Sequence, residues 1–181
     1  MNIIKSPSPN FGERNGFKPE IIVTHCTDGT YPGDLQWLTS IQSQVSSHYL
    51  VAPDGKIHQL VSEDKAAWHA GLIINPTFQG LKPGINPNLY SIGIEVSLIP
   101  MAIMTEPQKK SYYELMKDIS IHWNIPIDRQ HDIGHKEIRS NKTCPGTINL
   151  DTVVKDLTVV SPSPIDKNSI KKQIVELLDK L

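Results

Sequence analysis

Cysteine is nearly absent, with Cys26 and Cys144 the only two in 181 residues. Two cysteines cannot make the disulfide framework of a small secreted scaffold, and a chain of this length folds without one. Long apolar runs are also missing. None approaches the roughly 20 residues of a membrane span, so no membrane contact is predicted. Neither sign of charge dominates: 18 Lys and Arg stand against 19 Asp and Glu, a formal charge of −1. That balance excludes the basic footprint of a nucleic-acid binder and a polybasic membrane surface. The stretch Met1–Asn10 has no apolar h-region, so no secretory signal peptide is predicted. What is present, a hydrophobic fraction of 38%, builds an ordinary core, and the length fits one domain with a short extension.

Residues 1–20, rich in Pro, Ser, Asn and Gly, read as an irregular lead-in. Ile21–Thr24, bounded by Pro19 and Asp28-Gly29, reads as a buried strand. Asp34 is placed to cap a short helix over Leu35–Ile41, where Leu35, Leu38 and Ile41 share a face. Val45–Ala52 and Lys56–Val61 read as paired strands joined at Pro53-Asp54-Gly55. Residues 71–90, broken by Gly71, Pro76, Gly80, Pro83-Gly84 and Pro87, read as a long surface loop, often a functional feature in a compact domain. Ser91–Leu98 reads as a strand. Glu106–Trp123 reads as a helix, with Pro107 in its first turn and Tyr112, Leu115, Met116, Ile119 and Trp123 at helical spacing; Pro126 stops it. Leu150–Leu157 reads as a closing helix. The fold class expected is α/β, a central mixed β-sheet flanked by helices, in one domain over residues 21–158. Residues 159–164 read as a linker, and residues 165–181 as an amphipathic helix with Ile170, Ile174, Leu177, Leu178 and Leu181 in a stripe. That stripe either packs back on the domain or serves self-association.

The chemistry concentrates in Ile133–Gly146. His135 and Cys144 stand nine positions apart on loop-forming sequence, with Lys142 two residues before the Cys. Imidazole and thiolate are good zinc ligands, and three protein ligands with one open position make a catalytic site. His25, at the end of the apolar run Ile21–Thr24, is the best candidate for the third ligand. The competing reading joins Cys26 to Cys144 in a disulfide and leaves His135 an ordinary loop histidine. Lys142 is either a solvated loop lysine or close enough to reach a substrate oxygen. Glu95 interrupts the alternation Ile92, Ile94, Val96 and shares a face with Gly93 and Ser97. It either faces solvent or points into a cleft, where burial would raise its pKa and suit it to general-base work. In Trp68-His69-Ala70-Gly71, Trp68 is core or groove wall, and His69 is a satisfied histidine or a groove residue.

Five blocks occur in order: Ile22-Val23-Thr24-His25; Val45-Ser46-Ser47-His48-Tyr49 with Pro53-Asp54-Gly55; Ala67-Trp68-His69-Ala70-Gly71; Ser91-Ile92-Gly93-Ile94-Glu95; and Gly134-His135 through Lys142-Thr143-Cys144-Pro145-Gly146. Together they resemble the type 2 zinc N-acetylmuramoyl-L-alanine amidases, which include bacterial autolysins, phage endolysins and, more distantly, peptidoglycan recognition proteins. The resemblance covers roughly residues 17–157. It implies that His25, His135 and Cys144 hold Zn2+, that Glu95 is the general base, and that Lys142 steadies the oxyanion. Trp68, His69 and Thr143 are the implied substrate-groove candidates. The implied partner is peptidoglycan, cut between N-acetylmuramic acid and L-alanine. Cys in place of Asp at 144 resembles the recognition-protein and Bacillus-type branch. Some phage members carry a catalytic Tyr where this chain has Ser47, so Glu95 is left to act as base alone. His48, His58 and Tyr49 read as structural. Within the family, the lack of a signal peptide favours a phage or prophage endolysin, held in the host cytoplasm until release to the wall, over a host autolysin; a cell-wall location reached by another export route is the alternative. A non-catalytic peptidoglycan-binding module is the alternative, disfavoured because such members lack zinc ligands, the Cys above all. For residues 165–181 the resemblance adds wall engagement to the possible roles.

Overall fold

Short runs of β-branched residues, punctuated by Gly and Pro, build the sheet. This computed structural model describes residues 2–159. Among them are eight strands: β1 (Ile3–Lys5), β2 (Phe11–Glu13), β3 (Ile21–Cys26), β4 (Tyr49–Val51), β5 (Ile57–Gln59), β6 (Lys65–Ala67), β7 (Ser91–Val96) and β8 (Asp132–Gly134). The helices are α1 (Gly33–Thr39), α2 (Glu106–Trp123), α3 (His135–Ile138) and α4 (Leu150–Thr158). Six strands form one sheet in the order β1-β5-β4-β7-β3-β8, and β2 pairs with β6 in a separate ribbon. The sheet is mixed: β4 and β5 are antiparallel, and the other pairs are parallel.

The two central strands are buried on both sides, as a sheet covered by helices and loops requires. Ile22, Ile92, Ile94 and Val96 pack with Tyr112, Leu115, Met116 and Ile119 of α2 and with Leu150 and Val153 of α4. On the opposite face Ile21, Val23 and Ile133 meet Ala70, Tyr90 and Ile138, with Phe78, Leu81 and Ile85 of the 71–90 loop packed against them. Leu50 closes that face further along, against Leu38 of α1. Between these last two clusters, on the same face, His25 and Glu95 replace the apolar pattern. They are register partners on neighbouring parallel strands.

The helix over Glu106–Trp123 has the expected bounds. Thr105 Oγ1 accepts from the Gln108 N–H, Pro107 sits in the first turn, and Asn124 ends the helix with φ of 56°. The turn at Pro53-Asp54-Gly55 does join an antiparallel pair. The first of those strands begins only at Tyr49, because Ser46 and Ser47 turn their hydroxyls to backbone carbonyls of Asn10 and Tyr49.

Two expectations are corrected. Residues 1–20 are not an irregular lead-in, and the domain does not begin at residue 21. β1 extends the main sheet beside β5, and β2 pairs with β6. Arg14 is buried and donates to the carbonyls of Glu63, Leu89 and Ser91, at 2.8, 2.8 and 3.0 Å. Strands of three residues are too short to display a period, and Pro and Ser beside them mask the pairing. Asp34 does not cap α1. That helix starts at Gly33 after Pro32 with no side-chain cap, and Asp34 instead takes hydrogen bonds from the hydroxyls of Thr27 and Ser97. Residues 159–164 and 165–181, read as linker and helix, lie outside the described residues save for Val159.

Candidate metal centre

Parallel pairing brings three separate segments to one sheet edge. β3 ends at His25-Cys26, β7 presents Glu95 beside it, and β8 runs through Gly134 into His135, the first residue of α3. The loop after α3 returns Cys144 to His135, where the Lys136 N–H donates to the Cys144 carbonyl at 3.0 Å. Gly134 permits this return: a Cβ there would stand 2.5 Å from Pro145 Cδ.

His25, His135 and Cys144 are all buried, and one ligand atom from each lies within 4.8 Å of the others. His25 Nδ1 is 3.1 Å from His135 Nδ1, and Cys144 Sγ is 3.3 Å from His135 Nδ1. Such edges suit a tetrahedron with zinc–nitrogen bonds of roughly 2.0–2.1 Å and a zinc–sulfur bond of about 2.3 Å. His135 Nε2 is 3.0 Å from the carbonyl of Ala70, which can only accept. The proton therefore sits on Nε2, and Nδ1 offers a lone pair to the cluster. Glu95 Oε2 is buried with no hydrogen-bond partner, an acceptor that a water or a substrate N–H in the cleft would satisfy.

The electrostatics fit a cation. Burial first, then the nearness of the His135 ring and the charge of Lys142, holds the pKa of His25 well below the ordinary value. Burial lowers His135 to about 4, with Lys142 and Arg139 adding to the effect against the Ala70 hydrogen bond. Both rings are neutral at pH 7, the state that ligates. The 3.9 Å approach of Glu95 to His25 Nδ1 is therefore no ion pair. Burial, then Glu95 and Cys26, raises Cys144 to about 12, so its thiol ionises only when a cation takes the proton's place. Burial, then the carboxylate of Asp34, raises Glu95 to about 8, and Lys142 opposes the shift. The donor set, two neutral nitrogens and one sulfur, could hold a metal ion such as zinc with one position left open.

The cluster floors a cleft of about 300 Å³. Lys142 and Thr143 are exposed on its rim, and Trp68, 40% exposed, forms part of its wall and not of the core. His69 also lines the cleft, at its floor: its ring is buried, with Nδ1 at 3.1 Å from His25 Nε2. Cys26 and Cys144 are both free thiols, so the disulfide reading is excluded. Asp34, Thr27 and Trp37 also line the cleft and were not foreseen. Asp34 had a signal, an acidic residue in a Gly- and Pro-rich turn, but a capping role explained it equally well. His48 and His58 are structural. The Gly93 N–H donates to His48 Nδ1, and His58 lies 2.9 Å from the Ser6 hydroxyl. A larger cavity, about 640 Å³ under the 71–87 segment, is apolar and lined by no carboxylate, imidazole or thiol.

The family described as N-acetylmuramoyl-L-alanine amidase (Amidase_2) matches residues 15–147. The 1,6-anhydro-N-acetylmuramyl-L-alanine amidase AmpD of Salmonella typhimurium is 29% identical over 159 residues, covering 71% of this chain and 81% of the relative. N-acetylmuramoyl-L-alanine amidase A of Achromobacter lyticus is 37% identical over 75 residues, 41% of this chain; the match spans only 34% of that protein's length. A crystal structure of a Se-Met AmpD derivative superimposes with a TM-score of 0.71 at 26% identity, covering 86% of this chain and 93% of that one. AmiD from E. coli, solved with the substrate anhydro-N-acetylmuramic acid-L-Ala-D-gamma-Glu-L-Lys, matches at a TM-score of 0.64 and 26% identity, over 81% of this chain and 65% of that one.

Proposed function

The chain belongs to the N-acetylmuramoyl-L-alanine amidase family, and from that premise we propose that it hydrolyses the amide between N-acetylmuramic acid and L-alanine in peptidoglycan with Zn2+ held by His25, His135 and Cys144. One observation carries the reading: two imidazole nitrogens and a thiol converge on the cleft floor, with a buried carboxylate 3.9 Å from His25 Nδ1. Zinc bound there would polarise the scissile carbonyl and lower the pKa of water toward ~7. Glu95 takes the proton of the attacking water at its carboxylate and delivers it to the departing alanine nitrogen as the C–N bond breaks. Its elevated pKa makes it a stronger base for the first of these transfers. The Lys142 ammonium, on the cleft rim, offers charge to the oxygen that becomes anionic. Trp68 and Thr143 contact the glycan or the stem peptide.

The finer role we propose is that of a phage or prophage endolysin, acting on the polymeric wall after release from the host cytoplasm. A second reading is favoured by the relatives named for 1,6-anhydro-N-acetylmuramyl-L-alanine: a soluble anhydromuropeptide as the preferred substrate. Host autolysis and wall binding without catalysis are the remaining alternatives. Digestion of purified peptidoglycan, with mass spectrometry of the fragments, tests the reaction. Peptide-free glycan strands and stem peptides with a free L-alanine amine are expected. Fragments that all retain the muramoyl–alanine bond would overturn the reading. Rates on intact sacculi against soluble anhydromuropeptide separate the two roles.

A further inference from the structure

We propose that His69 is a positioning residue that fixes the tautomer and heading of His25, so that the His25 Nδ1 lone pair faces the ligand cluster. The inference rests on the reading of His25 as a metal ligand. Ser91 anchors a chain of hydrogen bonds that ends at His25: its hydroxyl donates to the Pro87 carbonyl at 2.7 Å. A carbonyl only accepts, and a hydroxyl has one proton. Toward His69 Nε2, 3.1 Å away, Ser91 Oγ can therefore only accept. His69 Nε2 thus carries its ring's proton. A neutral imidazole carries one proton, so with Nε2 protonated its Nδ1 is an acceptor. That atom lies 3.1 Å from His25 Nε2, which must donate. The remaining nitrogen of His25, Nδ1, is left unprotonated and faces His135 Nδ1 at 3.1 Å.

The chain is held rigidly. The backbone N–H groups of His69 and Ala70 both donate to Asn88 Oδ1, at 3.2 and 2.8 Å. Gly93 lets the His69 ring lie flat on β7, since a Cβ there would stand 2.5 Å from the ring Cγ. The neighbouring carbonyl of Ala70 fixes His135 in the same way. One dipeptide therefore orients both histidines of the cluster. Both ring nitrogens of His69 are committed, which leaves none for a substrate.

Two measurements made without substrate carry the test, so a failure of the amidase reading stays distinguishable, and a KM measurement supplements them. The first is 15N NMR of the metal-free protein at pH 8. His25 and His69 are expected in the Nε2–H form; His25 in the Nδ1–H form overturns the proposal. The second is zinc affinity, by competition with a chromophoric chelator, in His69→Leu and His69→Asn. Leu has similar bulk and no acceptor, whereas the Asn Oδ1 stands about where Nδ1 does. His69→Leu should bind zinc about 10–100-fold more weakly, and His69→Asn within about threefold of the parent. Unchanged affinity in His69→Leu, or equal weakening in both variants, would assign the ring to packing. A raised KM for a muramyl peptide with zinc affinity intact would return His69 to the groove.

Discussion

Cys144 is the most exchangeable of the three proposed ligands in bulk and the least in chemistry. Serine fills its place but holds its proton far more tightly than a thiol, and it is a poor zinc ligand. Cys144→Ser should lose most of its zinc by elemental analysis after purification under reducing conditions, while the parent carries one zinc per chain. Full occupancy in the variant would remove Cys144 from the ligand set. Glu95→Gln keeps the shape of the side chain and abolishes its basicity. It should bind zinc normally and turn over a muramyl peptide at least ~10²-fold more slowly. Near-parent turnover would mean that another group activates the water. Away from the cleft, burial raises Asp132 to about 7 against the pull of Arg129 and of Thr24, and its Oδ2 has no partner. The sign follows from proton uptake. Between about pH 4 and 7 the unfolded chain has released this proton and the folded chain has kept it, so stability falls as pH rises, then levels above about 7. Asp132→Asn keeps the acceptor for Thr24 Oγ1 and cannot ionise. Its melting temperature should match the parent's near pH 4 and exceed it increasingly up to pH 7. A constant difference across that range would refute the assignment.

Elements long enough to show a period stand where their sequence puts them. α2 spans five turns, and its cap, first-turn proline and left-handed Asn124 agree with its apolar stripe. The three-residue strands β1, β2, β6 and β8 have no such redundancy, and pairing alone makes them strands. α2 also reaches the sheet through a buried polar side chain. Gln108 Nε2 donates to the carbonyls of Val51 and Ser97, both at 3.0 Å, where β4 and β7 end. Leucine there would fill similar volume and leave the buried Ser97 carbonyl unpaired, at a cost of about 1–3 kcal/mol, while the Val51 carbonyl keeps the Ser97 N–H. Gln108→Leu should lower the urea midpoint with no change in m-value, while zinc content stays at the parent level. A midpoint within error of the parent would show that water replaces the amide.

At the scale of the whole molecule, the described residues bury α4 against the sheet through Leu150 and Val153. Residues 160–181 lie outside that description. The proposal that the tail serves self-association or wall engagement rests on its stripe Ile170, Ile174, Leu177, Leu178 and Leu181, since an isolated helix of that length is marginal in water. A truncation ending at Val160 should keep zinc and cleave a soluble muramyl peptide at the parent rate, with changes confined to its mass in solution or its lysis of whole cells. Loss of soluble-substrate cleavage would make the tail part of the catalytic fold. The amino-acid sequence by itself determined the donor types and the order of the blocks carrying His25, Glu95, His135 and Cys144. It also determined α2 and the hairpin turn at Pro53-Asp54-Gly55, because spacing, capping and turn chemistry are local. Tertiary structure alone decided which atoms converge. His25 and Glu95 are neighbours because β3 and β7 pair in parallel across a separation of 70 positions in the chain, and register is a property of two strands together. It also decided that His69 turns under His25 and that Asp34 faces the cleft. A side chain's heading follows from what packs around it, and no run of neighbouring residues encodes that.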